Sequence, residues 1–161
     1  MWRKFLIFVA GGIIGAAAGF AGGIFVYPYI FLADQVAMEA PLAGSRQLVA
    51  RGSFIHADPN DPVHYGKGTV TVYGDALRLQ ADFAVGPGPK FHVYLVPKAH
   101  IRKSDDVKAT MYVDLGRLRA FKGAQNYRIP KGVDLTKFQS VVIWCEAFGV
   151  LISPADLKFG S

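Results

Sequence analysis

From Phe5 to Leu32 the chain carries no charged side chain and almost every position is apolar or glycine. At 28 residues this run exceeds the roughly 20 that a helix needs to cross a bilayer. Past Leu32 the period changes from that of a helix to that of strands. Thr69 to Tyr73 and Ala76 to Phe83 alternate apolar and polar side chains, and Gly74-Asp75 between them suits a two-residue hairpin turn. Phe91 to Val96 reads as a strand behind the rigid loop Gly86-Pro-Gly-Pro89. Short strands are expected around 113–115 and 127–129, a longer one at 140–148 and a last one near 150–152, while the polar stretch 100–108 is expected as an exposed loop. No segment after Leu32 has a helical period. The pattern predicts an all-β, antiparallel β-sandwich preceded by one transmembrane α-helix. The boundaries are a cytoplasmic start at 1–4, the helix at 5–32, a linker at 33–50 and the sandwich domain at 51–158.

The flanks of the apolar run set its orientation. Arg3 and Lys4 precede it and Asp34 and Glu39 follow, so the positive-inside rule puts the N-terminus in the cytoplasm and the domain outside, periplasmic or extracellular. Trp2 at one end and Tyr27 and Tyr29 at the other are placed for the two membrane interfaces, and Pro28 is a natural stop for the helix. Ala16-Ala17-Ala18 would also suit a signal-peptide cleavage site, but cleavage there leaves a mature chain that stays apolar from Gly19 to Leu32. An uncleaved anchor in membrane lipid is the better reading. Gly11, Gly15, Gly19 and Gly23 recur every four residues, a spacing that lets two helix backbones approach, so a homodimer or a partner helix is expected along this stripe.

The stretch Ser140-Val-Val-Ile-Trp-Cys-Glu-Ala-Phe148 holds the only cysteine and one of two tryptophans. Strand alternation puts Val141, Ile143 and Cys145 on one face and Val142, Trp144 and Glu146 on the other. A lone cysteine in an oxidising compartment is buried, pairs with another chain or is kept for its reactivity. On the strand pattern alone Cys145 reads as a buried, inert thiol, and Trp144 and Tyr94 as core packing. The sharper alternative makes Cys145 a redox candidate, with Trp144 and Tyr94 as cofactor-binding neighbours. His56, His64 and His92 are candidate metal ligands, although no haem-attachment motif or helical histidine pair supports them. His56 and His64 flank Asp58-Pro-Asn-Asp-Pro62, which suits cation binding or ordinary turn chemistry. Gln125 and Asn126 are expected in a loop, satisfying backbone groups of a turn.

Charge changes this picture little. The 161-residue chain has a net charge of +6, with its densest basic group at Arg117, Arg119, Lys122, Arg128 and Lys131. A solvated face or attraction to anionic headgroups explains that group, and a domain outside the cytoplasm excludes nucleic acid as a partner. No nucleophile triad, phosphate-cradling glycine loop or catalytic carboxylate pair is recognisable, so a binding or electron-transfer module is expected rather than a stand-alone enzyme.

Several motifs come in a recognisable order. They are Gly88-Pro89 with Val93-Tyr94-Leu95, Val113-Asp-Leu-Gly-Arg-Leu118, Gly123-Ala-Gln-Asn-Tyr127 with Ile129-Pro130, and Asp134-Leu135. Ser140-Val-Val-Ile-Trp-Cys145 with Phe148, and Ala155-Asp-Leu157, complete the series. The chain resembles the electron-transfer DM-thirteen domain, the domain associated with DOMON in Skeletor-type proteins, over roughly Arg51 to Lys158. Gly52-Ser-Phe54 and His64 with Gly68 look like its weaker N-terminal motif. The resemblance implies a β-sandwich with a redox role centred on Cys145, either as a thiol or through a haem or a metal ion. A non-catalytic ligand-binding, adhesion or scaffold module is the alternative. The chain departs from the pattern at Ile152-Ser153-Pro154, where Phe-Gly is expected.

Overall fold

The computed structural model describes residues 2–160, the side chains of Phe25 and Tyr29 excepted. The expectation placing Tyr29 at an interface, and the one on Met1, lie outside the described residues. Helix α1 spans Trp2–Tyr27, and a wider-turned helical segment follows at Pro28–Leu32. Its first 23 residues, Trp2–Ile24, are long and apolar enough to cross a membrane, and none of that stretch is buried against the protein. Pro28 ends the regular helix because its ring lacks an N–H and clashes with the preceding turn.

The remainder is a ten-stranded, almost wholly antiparallel sheet. Its strands are β1 (Val36–Met38), β2 (Leu48–Phe54), β3 (Gly66–Tyr73), β4 (Ala76–Leu79) and β5 (Ala84–Val85), then β6 (Phe91–Val96), β7 (Val113–Arg117), β8 (Lys122–Arg128), β9 (Ser140–Cys145) and β10 (Val150–Phe159). The order across the sheet is β1-β8-β4-β3-β2-β10-β9-β6-β7, with β5 pairing to β3 and β8. Only β1 and β8 run parallel among the pairs. The sheet folds over itself, so that side chains of β2, β3, β4, β6, β8, β9 and β10 share one core, which includes Val70, Leu77, Val93, Tyr127, Ile143 and Cys145. A second cluster on the other side of β6 and β9 gathers Tyr94, Val96, Ile101, Val107, Val142, Trp144 and Leu151.

The alternation expected for 140–148 holds through Cys145. The strand stops there because residues 146–149 turn, the Gly149 N–H donating to the Cys145 carbonyl at 2.8 Å with Gly149 at φ +61°. The β3–β4 hairpin leaves Gly74-Asp75 between Tyr73 and Ala76, in a register that pairs Val72 with Leu77. The polar loop 100–108 contains a short helix, α2 (Ser104–Lys108), that sequence periodicity did not predict. It forms because the Asp106 carboxylate accepts from the Arg102 and Lys103 N–H groups, both at 3.0 Å, and from Lys98 Nζ at 2.6 Å. Gln125 and Asn126 lie in β8 rather than in a loop. Gln125 nonetheless satisfies a turn: its Oε1 accepts from the N–H groups of Arg119 and Ala120, and its Nε2 donates to the Ala120 carbonyl.

The stretch expected as a linker contains β1, whose Ala37 pairs with Gly123 of β8. Gly123 has φ +89°, and a Cβ there would collide with the Ala37 carbonyl oxygen, so only glycine allows the two backbones this close. Arg78 of β4 locks the next residues in place, donating to the carbonyls of Ala40 at 2.9 Å and Glu39 at 3.0 Å and to Asn126 Oδ1 at 2.7 Å. The departure at Ile152-Ser153-Pro154 is absorbed by a register shift between Leu151 and Ser153. There the buried Ser153 hydroxyl donates to the Ile55 carbonyl at 2.8 Å.

Candidate functional site

Cys145 closes β9 at the point where Phe91 of β6 pairs with it. Its thiol donates to the Pro89 carbonyl oxygen at 3.2 Å, and burial pushes its pKa up. Only 1% of the residue is exposed, yet it forms part of the wall of an apolar cleft of about 380 Å³. Val63, His64, Pro87, Phe91, Phe148 and Val150 complete much of that wall. Cys145 and His64, far apart in sequence, thus share one cleft.

The other histidines lie elsewhere. His56 Nε2 lies 2.7 Å from the Asp61 carbonyl oxygen, and His64 Nδ1 lies 2.6 Å from Asp61 Oδ2. Asp61 Oδ1 accepts from the N–H groups of Val63 and His64, and Asp58 Oδ1 from that of Asn60. The carboxylates of the 58–62 loop therefore serve its own turns. These contacts, above all the His64 ring, hold the Asp61 carboxyl down at about 2.

The residues at the cleft do not fit a resident metal ion or haem iron. The Cys145 thiol is buried and hydrogen-bonded, and burial favours its protonated form, whereas a metal binds the thiolate. His64 is the other nitrogen- or sulfur-bearing ligand side chain in the wall, and two donors do not complete the shell of a structural metal.

His92, Tyr94 and Trp144 meet on the opposite side of β6 and β9. The Tyr94 hydroxyl donates to Glu146 Oε1 at 3.0 Å. Glu146 Oε2 lies 3.0 Å from Lys90 Nζ and 3.4 Å from His92 Nε2, and His92 Nδ1 lies 3.0 Å from Asp114 Oδ2. The ligand-type atoms of His92, Asp114 and Glu146 fall within 4.8 Å of one another. Both imidazole nitrogens already face a carboxylate and the Lys90 ammonium lies on Glu146, so these side chains are engaged with one another in a hydrogen-bond network. The Lys90 ammonium, then the Tyr94 hydroxyl, hold the Glu146 carboxyl below its ordinary value. Burial, then the Glu146 hydrogen bond, drive the Tyr94 phenol far above its ordinary range.

The Tyr94 ring is stacked on Tyr112, with centroids 4.2 Å apart and planes 5° from parallel, and lies 6.5 Å from the Trp144 ring at 26°. Sequence reading singled out His92, Tyr94 and Trp144 but missed Lys90, Tyr112, Asp114 and Glu146 as their partners. The period of β9 does place Glu146 on the Trp144 face; Asp114 and Tyr112 come from the β7 region, and their approach depends on β6–β7 pairing.

A family model described as Electron transfer DM13 matches residues 60–157. No curated protein and no solved structure gave a match.

Proposed function

The chain belongs to the electron-transfer DM13 family, and on that premise we propose that it is a membrane-anchored, extracytoplasmic module that exchanges electrons with a partner through its own side chains. The anchor is helix α1, retained in the mature protein with its N-terminus cytoplasmic; the length of the apolar run and the charges on its flanks support this. Cys145 is the redox residue of the reading. The observation that carries it is the apolar cleft, whose wall includes a cysteine that is otherwise core.

A thiol in this setting is guarded. Burial disfavours the thiolate, and the Pro89 carbonyl accepts its proton without being able to take it. Cys145 is thus reached by an apolar carrier or partner group that enters the cleft, and not by indiscriminate exchange with solvent thiols.

The test is voltammetry of the full chain in detergent micelles, with an absorption spectrum and metal analysis of the same preparation. An electron-exchange response lost in Cys145→Ala, in a variant that still melts cooperatively, supports the reading. The absence of any response from the parent chain overturns it and leaves a scaffold or adhesion module.

A further inference from the structure

The face of β9 turned away from Cys145 carries a separate chemistry. Tyr94 is 1% exposed, so its ring is protected from solvent, and Tyr112 stacked on it is half exposed. Trp144, Tyr94 and Tyr112 therefore form a run of aromatic rings from the core to the surface. A phenol loses an electron readily only if its proton leaves with it, and a buried phenol has few places to send that proton. Tyr94 has one: its hydroxyl already donates to the ionised Glu146, within the reach needed for proton transfer. Lys90 and His92 flank that carboxylate and Asp114 flanks His92, so the acceptor is held in place.

We propose that Tyr94 is a one-electron redox site, oxidised through Tyr112 with its phenolic proton passing to Glu146. The inference rests on the electron-transfer reading but not on Cys145, which faces the other core. The oxidant is a high-potential, one-electron metal centre of a partner docked against Tyr112. It gains one electron; the Tyr94 O–H bond breaks, an O–H bond forms on Glu146 Oε1, and a neutral tyrosyl radical remains. Reduction runs the same steps backward and returns the proton to Tyr94. Trp144 backs the ring on its core side.

The experiment is flash oxidation of the full chain in detergent micelles by photogenerated tris(bipyridine)ruthenium(III), read by electron paramagnetic resonance. The parent should give a long-lived tyrosyl radical that is lost in Tyr94→Phe, which keeps the ring stack and removes only the hydroxyl. Glu146→Gln keeps an acceptor but removes the base, and should slow radical formation about 100-fold or more. It provides a second readout should Tyr94→Phe lower stability. A long-lived radical that persists unchanged in Tyr94→Phe overturns the proposal. A voltammetric response kept in Tyr94→Phe and lost in Cys145→Ala also overturns it while sparing the electron-transfer reading. The absence of electron exchange in every variant and in the parent overturns both.

Discussion

The Cys145 Sγ lies 3.2 Å from the carbonyl oxygen of Pro89, across the start of β6. This contact changes what a serine would meet there, because a hydroxyl would find an acceptor already in place. Cys145→Ala is expected to cost on the order of 1 kcal/mol or somewhat more, through a small void. Cys145→Ser should cost about the same and not substantially more, since its hydroxyl is not left unpartnered. Denaturant unfolding of both variants checks this, and a serine variant several kcal/mol worse than alanine would show that the contact is not made.

Alkaline pH should unfold the domain in a defined window. Burial lifts the Tyr127 pKa from an ordinary 10.0 to about 12, and Tyr94 lies higher still. A group raised in the folded state contributes stability that is fully present below its unfolded value and lost as pH rises through its folded one. Stability should therefore hold to about pH 10 and fall towards pH 12 as unfolding releases these phenols. Tyrosinate absorbance and circular dichroism followed together should show late-titrating phenols that ionise with the loss of structure. Ionisation of every tyrosine near pH 10 with the fold intact would contradict it.

A soluble fragment that starts at Arg46 should be less stable than one that starts at Asp34. The shorter fragment loses β1, and it strips the buried Arg78 guanidinium of the Glu39 and Ala40 carbonyls. Asn126 Oδ1 remains to Arg78, but removing two of the acceptors of a buried charged donor costs about 1–3 kcal/mol. Thermal melts of the two fragments decide the matter; equal midpoints would mean that residues 34–45 contribute nothing.

The glycine stripe of α1 is proposed to mediate self-association in the membrane. Replacing Gly15 and Gly19 together with isoleucine should weaken crosslinking between anchors by keeping the backbones apart. No Cβ built at Gly11, Gly15, Gly19 or Gly23 meets an atom beyond the neighbouring helix backbone within 4 Å, so the substitutions should leave the single chain's own fold untouched. Unchanged crosslinking would remove the stripe from the account.

What the sequence revealed follows from the range of the forces involved. The two faces of β9 were legible because alternation is local: Val141, Ile143 and Cys145 enter one core, and Val142 and Trp144 the other. The apolar helix was legible for the same reason. Strand β1 was not, because its three residues show no period and pair with β8 through a glycine that sits far along the chain. Helix α2 escaped because a side-chain cap at Asp106 forms it, not an apolar stripe. At the candidate site His92, Tyr94 and Trp144 stood out by residue type. Tyr112 and Asp114 acquire their meaning only from the stacking and pairing that bring β7 beside β6.

The parallel docking of β1 has a consequence for any cut that separates the domain from the apolar helix before it. A strand edge stripped of its neighbour is a template for another chain, and natural sheets keep such edges covered. Here the cover over β8 at Lys122–Ala124 is supplied by residues that stand only a few positions past the helical segment ending at Leu32. Proteolytic shedding between Met38 and Leu48 would free a domain whose newly bared edge invites a strand from a second molecule. On that edge the cut domain would be adhesive, and residues 36–38 would be what keeps the uncut chain from pairing there.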